Sequence, residues 1–263
     1  MCLIAFHWQP HARTKLVLVA NRDEFYARPT SALHHWTDQP IVAGRDLQAG
    51  GTWLGASTRG RVAALTNYRD AKLQRADAPS RGRIVTAFLL GAASAEAYAA
   101  ELATLATAHN AFNLLLFDGN CLVGYESRHQ RTVRFEPGTH AVSNADFNSS
   151  WPKLNRLRSS VDAVLLERKG RPAHGLEVAV RSRLFALLSQ RQAAPDAQLP
   201  STGISLDRER ALSPEFIQTP DYGTRCSTVL SANAGHIEMT ERSFSPTGYL
   251  GQVHEVIDWQ PTP

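Results

Sequence analysis

The sequence predicts an α+β protein whose helices are layered on antiparallel sheets, and three patterns carry that prediction. Hairpin signatures, in which apolar runs flank a turn, stand near both ends of the chain, in Leu3–Ala20 and Thr224–Phe244. Runs with apolar residues at helical spacing come in pairs between them. No internal repeat or linker breaks the order, so residues 1–263 read as one domain.

The first hairpin joins Leu3–Trp8 to Leu16–Ala20 through a turn containing Pro10. A loop of roughly six residues, Gln9–Thr14, sets Trp8 against Lys15 and Cys2 against Asn21. Asn21 and Asp23 then share the face of Cys2, and Arg22 points away. The next stretch is loop-rich and carries His34 and His35 before Trp36, which could ligate a metal or haem iron only with partners that the neighbouring sequence lacks. GRDLQAGGTWLG matches no nucleotide-loop motif and reads as a structural turn, the other reading being close backbone approach to a ligand. WLGAS and RVAALTNYR are two strands around a turn at Thr58–Gly60. The polar stretch that follows, with Arg69, Lys72, Arg75, Arg81 and Arg83, is either a solvated loop or a basic lip over an anionic substrate.

Ser80 and Ser94 are placed to cap the helices RIVTAFLLGA and AEAYAAELATLA. NAFNLLLFDGNCLVGYESR is a hairpin turning at Asp118-Gly119, with Cys121 an incidental thiol beside the turn. A turn at Pro137-Gly138 and a helix start at Ser-Ser-Trp-Pro lead into LNRLRSSVDAVLLER and LEVAVRSRLFALLSQR, both amphipathic. Residues 193–220 read as a long surface loop, and the last hairpin turns at Asn233-Ala234-Gly235 before a short strand over 252–259.

An apolar fraction of 43% and a charged fraction of 20% exclude a disordered chain. A net charge of +4, without arginines interleaved with aromatics, argues against nucleic acid as a partner. The cysteines Cys2, Cys121 and Cys226 are odd in number and far apart, which fits neither a zinc site nor a disulfide framework, so no metal and no cofactor is expected. No run approaches the ~18 apolar residues of a membrane span, and no signal peptide is recognisable. The expected compartment is the cytoplasm. Oligomeric state is not legible.

Cys2 is the leading candidate for chemistry. Once Met1 is removed, a thiol and an α-amine share one residue, with reference pKa values of about 8.5 and 7.7–8.0, so the amine can serve as the thiol's own base. Asp23 could orient that amine or form a structural pair with an arginine. Asn67 and Asn144 each end an apolar strand, where an amide is either a turn residue or a donor to a developing oxyanion. Arg225 opens a late strand and could neutralise a thiolate or a substrate carboxylate, or simply sit at the surface.

The segments MCLIAF, VANRDEFYARPT, IVAGRDLQAGGTWLG, GRVAALTNYRD, FNLLLFDG, VSNADFNSSWPK and YGTRCSTVLS together resemble the NRDE family, also called the transport-and-Golgi-organisation family. That resemblance implies a four-layer αββα sandwich of the N-terminal-nucleophile hydrolase type. It implies Cys2 as nucleophile, Asp23 as the residue orienting the amine, Asn67 and Asn144 as active-site asparagines, and Arg225 as a late active-site arginine. The arginine that such hydrolases place three residues before the aspartate is Ala20 here, leaving Asn21 and Arg22 as possible support. Trp53 and Tyr68 are the aromatics expected to contact substrate. The expected activity is hydrolysis of an amide or thioester bond, acyl-CoA-like, within lipid metabolism. The alternative is a non-catalytic carrier of haem or acyl-CoA.

Overall fold

The fold grows outward from the N-terminal hairpin. In the computed structural model, which describes residues 2–70, 74–167 and 176–260, β1 (Cys2–Trp8) pairs antiparallel with β2 (Thr14–Phe25). Met1, whose removal the mechanism needs, and Lys72 of the basic loop lie outside the described residues. The Gln9 N–H donates to the Lys15 carbonyl at 2.9 Å, so the turn takes one residue more than expected. Trp8 therefore faces Leu16, and Cys2 faces Arg22. This corrects the expected register. Since a one-residue slip exchanges the two faces of a strand, Arg22 shares the side of Cys2 and Asn21 turns to the other.

One six-stranded sheet runs in the order β10-β1-β2-β11-β12-β13, with β10 (Gly138–Val142), β11 (Tyr222–Asn233), β12 (His236–Ser245) and β13 (Gly248–Asp258). The other holds seven strands in chain order: β3 (Thr30–His35), β4 (Ile41–Asp46), β5 (Leu54–Ser57), β6 (Val62–Asn67), β7 (Phe112–Phe117), β8 (Leu122–Glu126) and β9 (Arg131–Arg134). β3, β4 and β9 are additions to the sequence reading, β10 is the strand expected before Asn144, and His34 and His35 end β3 rather than sitting in a loop.

The inward faces of the two sheets meet in one apolar layer that includes Phe6, Leu18, Leu115, Phe117 and Leu230. α1 (Gly82–Leu90) and α2 (Ala95–Leu105) cover the outside of the seven-stranded sheet, burying Ile84, Val85, Phe88 and Leu89 at the spacing that keeps one helical face inward. α3 (Pro152–Leu166) and α4 (Val178–Leu188) cover the six-stranded sheet through Leu154, Leu157, Val161 and Leu184. The layers are α, β, β, α. Ser94 caps α2 by accepting from the Ala97 N–H; at α1 Arg81 takes the capping position, while the Ser80 hydroxyl, one residue earlier, accepts from the Gly82 N–H at 3.4 Å.

Residues 193–220 are not a surface loop throughout. They carry α5 (Leu206–Ala211) and bury Glu209, Leu212, Ser213, Glu215, Phe216 and Ile217. Their polar composition misleads because the buried carboxylates have partners far away in sequence: Glu209 with Arg69 at 2.8 Å and Glu215 with Arg156 at 3.0 Å.

Candidate active site

At the ends of β1 and β2 the two sheets part to leave a cavity of about 730 Å³, lined among others by Cys2, Arg22, Asp23, Trp53, Asn67 and Arg225. These six sequence-chosen residues come together although up to 223 positions separate them. Cys2 is 6% exposed at the start of β1. Burial, and then the negative charge of Asp23, push its thiol up to about 11 against the pull of Arg22. A thiol that weakly acidic is neutral at pH 7, so it becomes a nucleophile only with a base at hand.

Asp23 lies at the boundary between cavity and helices. Its Oδ1 accepts from the Thr224 hydroxyl at 2.7 Å, and its backbone carbonyl accepts from the Tyr222 hydroxyl at 2.9 Å. Burial raises its pKa, opposed chiefly by the charge of Lys153. Lys153, in the first turn of α3, is buried, donates to the Leu212 carbonyl at 2.9 Å, and is pushed down to about 8 by desolvation. Sequence reasoning missed it. The signal was there: Lys153 stands four residues before Leu157 and eight before Val161, on the stripe that α3 buries.

Asn67 ends β6 with a carboxamide that has no hydrogen-bond partner among the described residues, so its N–H groups are available to the cavity. Asn144 stands one layer behind. Its Nδ2 donates to the Asn67 carbonyl at 2.8 Å, and its Oδ1 accepts from Arg69 and from the Ser143 hydroxyl. Asn144 thus holds the backbone of Asn67 and does not line the cavity.

Asn21 is also elsewhere. It is fully buried on the helix side of β2, donating to the carbonyls of Leu188 and Glu215 at 2.9 and 2.8 Å and accepting from the Ser227 hydroxyl at 2.6 Å. Tyr68 likewise does not line the cavity; its phenol lies near Asp146, Arg128 and Asp70.

Arg225 reaches the cavity because β11 bulges between Thr224 and Cys226, so that two consecutive side chains, Arg225 and Cys226, face it. Its Nη1 donates to the carbonyls of Phe25, Tyr26 and Arg28, and its Nη2 donates to the Thr30 hydroxyl, clasping the crossing from β2 to β3. Gly51 belongs to the glycine-rich stretch and also lines the cavity. A Cβ there would lie 2.7 Å from the carbonyl carbon of Gly82, so the backbone of that turn packs directly on the start of α1.

His35 pairs with Glu255 at 3.2 Å, and among the described residues no group of three His, Cys, Asp or Glu side chains could hold a metal ion. No helix of the described chain is long and apolar enough to cross a membrane.

Two antiparallel sheets packed between layers of helices are the fold of the N-terminal-nucleophile hydrolases. The chain is similar to the crystal structure of the C2A mutant of conjugated bile acid hydrolase from Clostridium perfringens, with a TM-score of 0.52 over 98% of this chain and 92% of that one. At 8% identity the likeness is one of fold. By sequence the chain belongs to the Transport and Golgi organisation 2 (TANGO2) family, whose model matches residues 1–246. It is 35% identical to the Transport and Golgi organization protein 2 homolog of Bos taurus, covering 97% of this chain and 98% of that protein. It is 33% identical to the Homo sapiens homolog, covering 92% and 93%.

Proposed function

We propose that residues 1–263 act as one cytoplasmic domain that hydrolyses an amide or thioester bond of an acyl-CoA-like compound, with Cys2 as N-terminal nucleophile. The observation that carries this reading is the placement of Cys2 in the cavity wall at the first position of β1, with an unengaged Asn67 carboxamide on the same cavity. Removal of Met1 frees the α-amine. The amine takes the proton from Sγ as the sulfur attacks the substrate carbonyl, and Asn67 donates to the oxyanion that forms. The ammonium then returns the proton to the leaving amine or thiol. Water, deprotonated by the same amine, attacks the thioester carbonyl and releases the acid and free Cys2. Asp23, supported by Thr224 and the charge of Lys153, orients the amine, while Asn144 acts through Asn67 as a positioning residue.

The test is intact-mass measurement on the full chain after incubation with an acyl-CoA and with an acyl amide. A transient acyl adduct that maps to Cys2 and is absent in Cys2→Ala supports the reading. Unmodified protein that binds acyl-CoA or haem without turnover would show the non-catalytic carrier instead.

A further inference from the structure

We propose that Arg22 and Arg81 form an anion-accepting subsite beside Cys2, so that the compound bound there carries a carboxylate or phosphate close to the reacting carbonyl. This deepens the hydrolase reading by naming a substrate class and rests on it for the word substrate; the subsite itself stands on geometry.

Arg22 lies on the same face as Cys2, directly across the ladder between β1 and β2, and is 8% exposed. It makes no hydrogen bond to any described residue, and its buried Nη1 has no partner. The nearest carboxylate oxygens, of Asp46 and Glu24, stand 3.6 and 3.7 Å from Nη2. Those two are long ion pairs, and a buried Nη1 left unanswered is costly unless a ligand answers it.

Arg81 lines the same cavity from the segment entering α1, within electrostatic reach of Cys2 and Glu24. One of its donors goes to the Ala111 carbonyl at 3.2 Å, and it forms no ion pair among the described residues. Arg81 also belongs to the basic stretch whose sequence left open a lip over an anionic substrate.

The acidic groups of the cavity reach Arg22 only as long ion pairs at Nη2 and leave its Nη1 unanswered, and they hydrogen-bond elsewhere. Asp46 accepts from Arg28 Nε at 2.7 Å and from the N–H groups of Gln48 and Ala49. Glu24 accepts from the Phe25 N–H, Asp23 from Thr224, and Glu241 from the Leu33 N–H at 2.8 Å. The other lining arginines are likewise engaged: Arg28 with Asp46, Arg45 with Asp38, and Arg225 with its carbonyls. Unused positive donors therefore converge next to the thiol, and a planar fork of that kind suits a carboxylate or a phosphate.

The experiment compares alkylation of the full chain by iodoacetate and iodoacetamide, two reagents that differ in one negative charge, with peptide mapping of each cysteine. Cys121, half-buried and outside the cavity, is the internal reference. The expected ratio of iodoacetate to iodoacetamide rates is at least about tenfold higher at Cys2 than at Cys121, since opposite charges at contact attract through a partly dry site. The excess should vanish in Arg81→Met and Arg22→Met and return in Arg81→Lys.

A second measurement does not depend on thiol reactivity. At matched ionic strength, acetate or phosphate should raise the melting temperature of the wild type and of Cys2→Ala above that in chloride, by binding the native state, and should fail to do so in Arg81→Met. A rise in acetate alone assigns a carboxylate, and one in phosphate alone assigns a phosphate. The subsite is overturned if Cys2 shows no iodoacetate excess, or is not labelled, and the melting temperatures in the three salts coincide. A salt effect that survives Arg81→Met overturns it as well. Loss of the acyl adduct with the anion effects intact would instead sink the hydrolase reading and leave the subsite standing.

Discussion

Replacing Asn21 with alanine separates a structural residue from a catalytic one at the point where the family motif invites confusion. Its amide donates both hydrogens to backbone carbonyls, of Leu188 at the end of α4 and of Glu215, and its oxygen accepts from Ser227. Asn21→Ala leaves two buried carbonyls unanswered, each costing about 1–3 kcal/mol, while the Ser227 hydroxyl can rotate to another acceptor. The sum is roughly 2–6 kcal/mol, a large share of the 5–15 kcal/mol that ordinarily separates folded from unfolded chains. Urea unfolding followed by tryptophan fluorescence should show the midpoint fall with an unchanged slope. Acylation of Cys2, normalised to the folded fraction, should be unchanged. A variant within about 1 kcal/mol of wild type that has lost acylation would refute the reasoning, because Asn21 would then be acting on the chemistry and not on the packing of α4.

Cys2→Ala should abolish any acyl adduct while shifting stability by only about 1 kcal/mol, and Cys2→Ser should lose most turnover because the amine cannot cheaply deprotonate a hydroxyl; intact mass and urea melts read both. Lys153 is depressed to about 8 in the fold, so between that pH and its ordinary value of 10.5 the unfolded chain holds more protons and stability rises with pH. Subtracting the stability curve of Lys153→Met from that of wild type should isolate this rise, roughly 3 kcal/mol in total, and a flat difference would show that Lys153 is not held in a desolvated site. At Gly60, where φ is +76°, an added Cβ would lie 2.2 Å from the Trp259 ring, so Gly60→Ala should cost roughly 2 kcal/mol in thermal or urea unfolding.

Hairpins were the legible part of the fold. Asp118-Gly119 and Asn233-Ala234-Gly235 sit between apolar runs, and both became turns between paired strands, because turn chemistry is local. β3 and β4 were hidden by Pro29 and Pro40 just before them, by Gly44 and by the two histidines that end β3, whose strand state depends on neighbours in the sheet. The site was legible where a residue type alone suggested chemistry, as at Cys2 and Asn67. It was illegible where pairing across more than a hundred residues decides the matter. Nothing near Arg69 announces Glu209, and nothing near Asp23 announces Lys153.

The one-residue error in the first turn shows how the motif divides its work between the two faces of β2. With Cys2 opposite Arg22, the even-numbered side of the strand faces the other sheet: Leu16, Leu18 and Ala20 fill the apolar layer, and Arg22 opens onto the cavity. The odd-numbered side faces the helices, where Val17 and Val19 pack and Asn21 pins α4. Asp23 is the last buried residue on that side, and there the strand runs out beside the cavity, so a helix-side carboxylate can still reach toward the first residue of β1. The bulge at Arg225 performs the matching adjustment on β11, turning an arginine toward the cavity that strict alternation would have sent to the helices. A polar motif of four consecutive residues on one strand can therefore brace a helix, line a cavity and carry a buried carboxylate at once. It does so only because its register is fixed by the Gln9–Lys15 bond and by the apolar residues before it.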